Sequence, residues 1–136
     1  MTQIAKGEFT VELAPLEFEG VDAKAPLGRL SIDKRITGDL DATTRGQMLS
    51  AGTAIKGSAG YVAIEQVTGT LHGRHGSFVL MHTGLMARGE PSLSVVVVPD
   101  SGTGELAGIT GAFEIIIADG KHAYAFSYSL PKTARE

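Results

Sequence analysis

The sequence predicts a single all-β domain that closes into an eight-stranded antiparallel barrel. Apolar residues recur at every second position in stretch after stretch, whereas almost no window has the i, i+3, i+4, i+7 spacing of a helix. Glycine supplies 18 of the 136 residues, nearly twice its usual share of about 7%, which indicates frequent turns. Eight consecutive strands without helices would leave unpaired edges, and closure into a barrel removes them.

The elements follow from this alternation and from the turn residues between the stretches. Strands are predicted at residues 4–13, 27–38, 43–53, 61–71, 77–86, 93–98, 106–118 and 122–130. Segments rich in Gly, Pro, Asp and Ser separate them, at residues 14–26, 38–41, 56–60, 72–76, 89–91, 100–104 and 119–120. No linker is long enough to divide the chain, so residues 1–136 are expected to form one β-barrel domain.

Two turns predict the register of their hairpins. Residues 119–120 are Asp-Gly, which favours a type I′ turn and pairs residues whose numbers sum to 239. A turn at residues 73–74 would pair residues whose numbers sum to 147, which sets Glu65 directly opposite His82.

The composition excludes several classes of protein. The absence of cysteine removes disulfide scaffolds, thiolate metal sites and cysteine nucleophiles, and makes the cytoplasm the expected location. Twelve basic and 15 acidic residues give a net charge of −3, and no basic cluster offers a surface for nucleic acid. Nothing in residues 1–13 resembles an export signal, and the apolar stretches are far shorter than the roughly 18 residues of a membrane helix. We therefore expect no nucleic-acid or membrane partner.

Several strands are apolar on both faces, as in the valine run at residues 95–98. A barrel has a single interior, so its second apolar face is expected to be covered by another subunit. The sequence thus predicts a homo-oligomer, either a dimer or a trimer.

Residues 28–40, 57–65, 69–73, 76–82 and 98–108 together resemble one bacterial family. It is a domain-of-unknown-function family whose members form an allene oxide cyclase-like β-barrel, and the likeness extends from about residue 9 to residue 130. The resemblance implies an eight-stranded barrel and oligomerisation. It implies no activity, because kinship of fold does not transfer function.

The candidate catalytic residues are Glu65, His82 and Lys34, polar side chains that share a strand face with apolar neighbours. If these faces point inward, burial and pairing would shift the pKa values of the carboxylate and the imidazole. Glu65 would serve as a general base, with His82 orienting it or acting as the acid. An oxyanion would be stabilised by Lys34 or by a tyrosine hydroxyl, that of Tyr61, Tyr124 or Tyr128. The alternative is that the three groups only neutralise one another as a structural network.

The candidate ligand-binding residues are aromatic and lie on predicted inner faces: Tyr61, Tyr124, Phe126 and Tyr128. They would line a pocket for a small hydrophobic molecule, or else form the core. His72 and His75, with His82 or His122, raise the question of a metal site. The two turn histidines are expected to face each other in solvent, however, so no metal and no cofactor is predicted.

Three functions remain open at this point. The first is a module that binds a small hydrophobic molecule in the barrel, and the second is a cofactor-free isomerase or cyclase that uses Glu65 and His82. The third is a structural or interaction protein whose barrel is filled by its own side chains. Whether the protein is an enzyme is therefore left undecided by the sequence.

Overall fold

The structure is a computed structural model that describes residues 2–131. Its strands are β1 (Gln3–Leu16), β2 (Leu27–Gly38), β3 (Leu40–Gly52), β4 (Ala59–Leu71), β5 (Arg74–Ala87), β6 (Glu90–Val97), β7 (Thr110–Ala118) and β8 (Lys121–Ser129). Each strand pairs antiparallel with the next, and β8 pairs with β1, so the sheet closes into a barrel. The predicted all-β, eight-stranded barrel is confirmed. Within residues 2–131, the structure has no helix of the length and apolar character needed to cross a bilayer.

The register of the β7–β8 hairpin is also confirmed. Phe113 pairs with Phe126 and Gly111 with Tyr128, as the sum of 239 requires. Asp119 and Gly120 have φ angles of 53° and 75°, the left-handed backbone that a type I′ turn demands at both central positions.

The predicted register of the β4–β5 hairpin is wrong, because the turn lies one residue earlier. His72 and Gly73 occupy it, with φ angles of 47° and 82°, and Leu71 pairs with Arg74. Glu65 therefore lies opposite Leu80, whereas His82 lies opposite Ala63. A shift of the turn by one residue moves each partner by two positions, so every side chain keeps its predicted face of the sheet.

The predicted strand at residues 106–118 is too long at its start. Residues 104–106 form a 3₁₀ turn (Gly104–Leu106), and β7 begins only at Thr110. Gly108 has a φ of 80°, which interrupts the extended backbone. Leu106 and Ile109 are consequently buried at one end of the barrel.

Burial alternates along the strands and defines an interior with two different ends. The closed end, where residues 38–39, 72–73 and 98–109 connect strands, is filled with side chains that include Leu40, Leu71 and Leu106. The opposite end, here called the mouth, is bordered by residues 17–26, 53–58, 88–89 and 119–120. Inward-facing apolar side chains at the mouth stay exposed, among them Met86, Leu93 and Ile117. The core therefore fills the closed half of the barrel and leaves the mouth open.

The outer wall carries exposed apolar side chains on three neighbouring strands. We call the set Leu49, Val62, Ile64, Met81 and Leu85 the outer apolar patch. Strand pairing places Leu49 beside Val62 and Ile64 beside Met81, so the patch is continuous across β3, β4 and β5.

The turn geometry of the β4–β5 hairpin yields a stability test. Gly73→Ala is expected to lower the free energy of unfolding by about 1–2 kcal/mol, the cost of a left-handed residue with a Cβ. No atom lies within 4 Å of a Cβ built at Gly73, so the loss would be conformational. Gly52→Ala is the matched control, because it has open space and no positive φ. Urea unfolding measures both, and equal stability of the two variants would contradict this turn.

Candidate functional site

Three strands bring the predicted polar residues together inside the barrel. Glu65 on β4 is 0% exposed, and His82 on β5 and Lys34 on β2 are also buried. Lys34 Nζ lies 2.9 Å from Glu65 Oε1, and His82 Nε2 lies 2.6 Å from the same oxygen. Glu65 and His82 meet as diagonal neighbours rather than as the directly opposed pair that the sequence predicts.

A fourth residue, Thr44 on β3, completes what we call the Glu65 network. Its hydroxyl donates a 2.7 Å hydrogen bond to Glu65 Oε2. Thr44 is not among the candidates predicted from sequence, although it shares the inward phase of Ala42 and pairs with Lys34 across β2 and β3. A prediction of the register of the β2–β3 hairpin would have placed Thr44 opposite Lys34.

Gly46 lets β3 approach Glu65 closely. The two residues are strand partners, and a Cβ at position 46 would lie 2.1 Å from the Ile64 carbonyl oxygen and 2.7 Å from Glu65 Cβ. Any larger residue at this position would push β3 away from the carboxylate.

The network keeps the Glu65 carboxylate ionised. Burial by itself raises the pKa of Glu65, but the hydrogen bond from His82, the positive charge of Lys34 and the Thr44 hydroxyl outweigh it and lower the pKa to about 2. Lys34 Nζ also lies 4.9 Å from the centroid of the Phe9 ring, in a cation–π contact. The site therefore holds a fixed ion pair with a histidine attached to it.

A cavity of about 490 Å³ opens at the mouth, between the ends of β3, β4, β5 and β6. Its wall is largely apolar and is formed by Met48, Ser50, Ala51, Gly52, Ala59, Gly60, Tyr61, Gly84, Leu85, Met86, Pro91, Ser92 and Leu93. Tyr61 links the cavity to the Glu65 network, since only Ala63 separates the two residues on the inner face of β4.

The Tyr61 ring lies against Gly84 on the neighbouring strand. A Cβ at position 84 would be 2.2 Å from Tyr61 Cε1, so the glycine makes room for the ring. Burial raises the pKa of Tyr61, and the negative charge of Glu65 raises it further. The phenol is consequently neutral at physiological pH and able to donate a hydrogen bond.

The other three predicted ligand contacts lie in the packed interior, away from the wall of this cavity. Tyr124, Phe126 and Tyr128 are each at most 2% exposed. Phe126 stacks on Phe78 with ring centroids 5.5 Å apart. The Tyr124 hydroxyl donates to the Thr37 carbonyl at 2.8 Å and accepts from the Leu40 amide at 3.0 Å. The three rings therefore belong to the packed core of the barrel.

The two turn histidines do not face each other, contrary to the sequence-based expectation. His72 Nδ1 lies 2.5 Å from the Tyr128 hydroxyl, and His72 Nε2 lies 3.6 Å from Asp39. His75 instead pairs across the hairpin with Thr70. Among residues 2–131, no group of three or more His, Cys, Asp or Glu side chains is arranged to hold a metal ion.

The interior groups that remain available for chemistry are nitrogen atoms. The Glu65 oxygens are fully buried and already accept three hydrogen bonds. His82 has a second ring nitrogen and Lys34 has further N–H groups. The arrangement is therefore suited to hydrogen bonding at these nitrogen atoms.

Comparisons with known proteins agree with the fold and name no activity. A family model described as "Protein of unknown function (DUF3224)" matches residues 5–128. The chain is similar to a crystal structure of a protein with unknown function from the DUF3224 family of Shewanella oneidensis MR-1. That similarity has a TM-score of 0.91 and 47% identity and covers 98% of this chain and 100% of the other. No curated protein gives a significant match.

The low pKa of Glu65 predicts how stability depends on pH. Its folded-state pKa of about 2 lies below the ordinary 4.5, so its contribution is complete above pH 4.5 and is lost as the pH falls toward 2. In Glu65→Gln, this loss of stability at low pH should disappear. The unpaired Lys34 should lower the free energy of unfolding by about 3–5 kcal/mol at pH 7.

Urea unfolding between pH 2 and pH 7 measures this effect, with the exposed Glu114→Gln on β7 as control. Thr44→Val offers a milder variant, which removes one hydrogen bond and should cost about 1–3 kcal/mol. If the free energy of unfolding falls equally with pH in the wild type and in Glu65→Gln, the carboxylate is not ionised as described.

Proposed function

The chain belongs to the DUF3224 family, a family of unknown function, and from the geometry of its barrel we propose that it binds a small apolar molecule at the mouth. The observation that carries the proposal is the cavity of about 490 Å³ with its largely apolar wall. Ligand cavities in proteins have volumes of about 300–1,000 Å³ and apolar linings with few polar groups. The mouth of the barrel meets both conditions.

The exposed apolar side chains at the mouth support the same function. Leu93 faces inward and is 47% exposed, and Met86 is 44% exposed. Burying such surface against a ligand is favourable by about 25 cal/mol per Å². A protein whose barrel served only as a filled scaffold would gain stability by packing these positions, as it does at the closed end.

Tyr61 is the polar group best placed to orient a ligand. It lines the cavity, and its hydroxyl makes no hydrogen bond to any side chain or backbone group within residues 2–131. A neutral phenol at the cavity wall can donate to a carbonyl, hydroxyl or carboxylate oxygen of the ligand.

The Glu65–His82 contact of 2.6 Å is the observation that favours the second candidate, a cofactor-free isomerase or cyclase. General bases work best with a pKa near the operating pH, whereas the pKa of Glu65 is about 2 and its oxygens are buried. In such an enzyme, His82 would be the better proton carrier. Binding is therefore the function that the geometry supports better.

Two expectations from the sequence do not enter this proposal. The likeness to the allene oxide cyclase barrel and the cytoplasmic location both stay predictions, and binding at the mouth requires neither.

We also propose that the chain forms a homo-oligomer through the outer apolar patch. Its five side chains are exposed on adjacent strands and form a continuous surface. A second copy of the chain offers the same patch, so that one apolar surface covers the other about a twofold axis. The patch has the composition of an interface core, and Arg29 and Arg45 lie at its edge.

A neutral fluorescent dye tests binding at the mouth. Nile red is expected to bind the wild-type chain with a saturable rise in fluorescence. Leu93→Arg, which places a charge in the cavity wall, should weaken binding at least tenfold. Ile116→Arg is the matched control, because Ile116 is 42% exposed on the outer face of β7. Equal affinity of the two variants would contradict the site.

Light scattering coupled to size-exclusion chromatography tests the oligomer. The wild-type chain should elute at two or more times its mass of 14.2 kDa. Ile64→Glu should elute as a monomer, whereas Ile116→Glu, outside the patch, should not change the mass. A wild-type chain that is monomeric at tens of micromolar would overturn this proposal.

A further inference from the structure

The Glu65 network has unused hydrogen-bonding capacity on its nitrogen atoms only. Lys34 Nζ has one acceptor, Glu65 Oε1 at 2.9 Å, out of the three that an ammonium can serve. His82 Nε2 is occupied by the same oxygen at 2.6 Å. Lys34 can therefore donate to a further oxygen. Because His82 Nε2 donates to the Glu65 carboxylate, Nδ1 accepts a hydrogen bond while the imidazole is neutral and donates one only when the ring is protonated. A partner that carries both an acidic hydrogen and oxygen lone pairs can bind both nitrogens.

The second ring nitrogen of His82 reaches space that water can enter. Within residues 2–131, every fully buried side-chain nitrogen or oxygen has a hydrogen-bond partner. His82 Nδ1 has no such partner in this part of the chain. Nδ1 is therefore not completely enclosed, although the residue is only 4% exposed. His82 faces the barrel interior one inward position below Gly84, which lines the cavity.

The charges around His82 determine what it can bind. Glu65 on β4 and Lys34 on β2 cancel each other, and Tyr61 on β4 is a neutral phenol. The strand partners of His82, Ala63 on β4 and Val95 on β6, carry no charge, and neither does Thr44 on the far side of Glu65. Protonation of His82 would give the interior one excess positive charge, which is costly unless an anion accompanies it.

From these contacts we propose that the occupant of the mouth is an apolar weak acid, whose anionic oxygen is bound by Lys34 Nζ and by Nδ1 of a protonated His82. The inference rests on the proposed binding function and adds the chemical class of the ligand. The apolar body lies in the cavity against Leu93 and Met86, and the anion points toward the network. Binding then takes up a proton on His82, because the charge of the anion and that of the imidazolium compensate each other.

Other ligand classes fit the network less well. A cation would meet the Lys34 ammonium, and the Glu65 carboxylate that could attract it is fully buried behind its own hydrogen bonds. A neutral alcohol could accept from Lys34 and donate to Nδ1 of the neutral imidazole, but it would compensate no charge. Charge-assisted hydrogen bonds are about twice as strong as neutral ones, so the anion gains most from these two donors.

Isothermal titration calorimetry with two matched probes tests the proposal. The probes are 2-naphthoate and 2-naphthylmethanol, which have the same ring system and differ in charge. At pH 8, naphthoate is expected to bind at least tenfold more tightly than the alcohol. Its binding enthalpy should differ between Hepes and Tris by an amount that corresponds to the uptake of close to one proton, and the alcohol should take up none.

Two variants locate the effect. His82→Gln keeps an N–H group for Glu65 but cannot be protonated, so it should abolish proton uptake and reduce naphthoate affinity at least tenfold. Ile116→Arg on the outer wall should alter neither quantity. Proton uptake by the wild-type chain stands as a test by itself if His82→Gln fails to fold.

The outcomes separate this inference from the proposed function. Equal binding of both probes without proton uptake would overturn the weak-acid inference and leave apolar binding at the mouth intact. Tight naphthoate binding that His82→Gln leaves unchanged would also overturn it. If neither naphthyl probe nor Nile red binds, the proposed function itself fails.

Discussion

The buried carboxylate of Glu65 is the constraint on which the interior of this barrel depends. A charge with 0% exposure is tolerated only when partners satisfy it on every side. Lys34, Thr44 and His82 come from three further strands to do so, and Gly46 provides the close approach of β3. The network thus ties β2, β3, β4 and β5 together and fixes the orientation of its own nitrogen donors.

The network also lies between two halves of different character. At the closed end, stacked rings such as Phe78 and Phe126 and the Leu106 side chain fill the interior. At the mouth, Tyr61 and Leu93 border an unfilled cavity. The packed side chains are therefore concentrated at the closed end, and the mouth is left unfilled. The polar network has a structural role, since its carboxylate holds four strands together, and we propose that its nitrogens also take part in recognition.

Much of this arrangement could be predicted from sequence because strand alternation has a period of two. The inward faces of Glu65, His82 and Lys34 follow from it, and they survive the incorrect β4–β5 turn because a one-residue shift preserves each face. Alternation does not predict the depth of a side chain, that is, its position along the barrel axis between the closed end and the mouth. Tyr61 and Tyr128 share the inner surface, yet Tyr61 lines the mouth whereas Tyr128 packs in the core. Depth depends on the register of every hairpin, and Thr44 was missed for the same reason.

Native mass spectrometry of the chain isolated from cells without denaturation tests most directly whether the mouth of the barrel holds an apolar ligand. We expect a peak above the mass of the bare chain, with about one small molecule per chain. That molecule should be released on denaturation and absent from Leu93→Arg. A wild-type chain that carries no molecule from the cell, and whose mouth also remains empty with Nile red and both naphthyl probes, would contradict binding at the mouth.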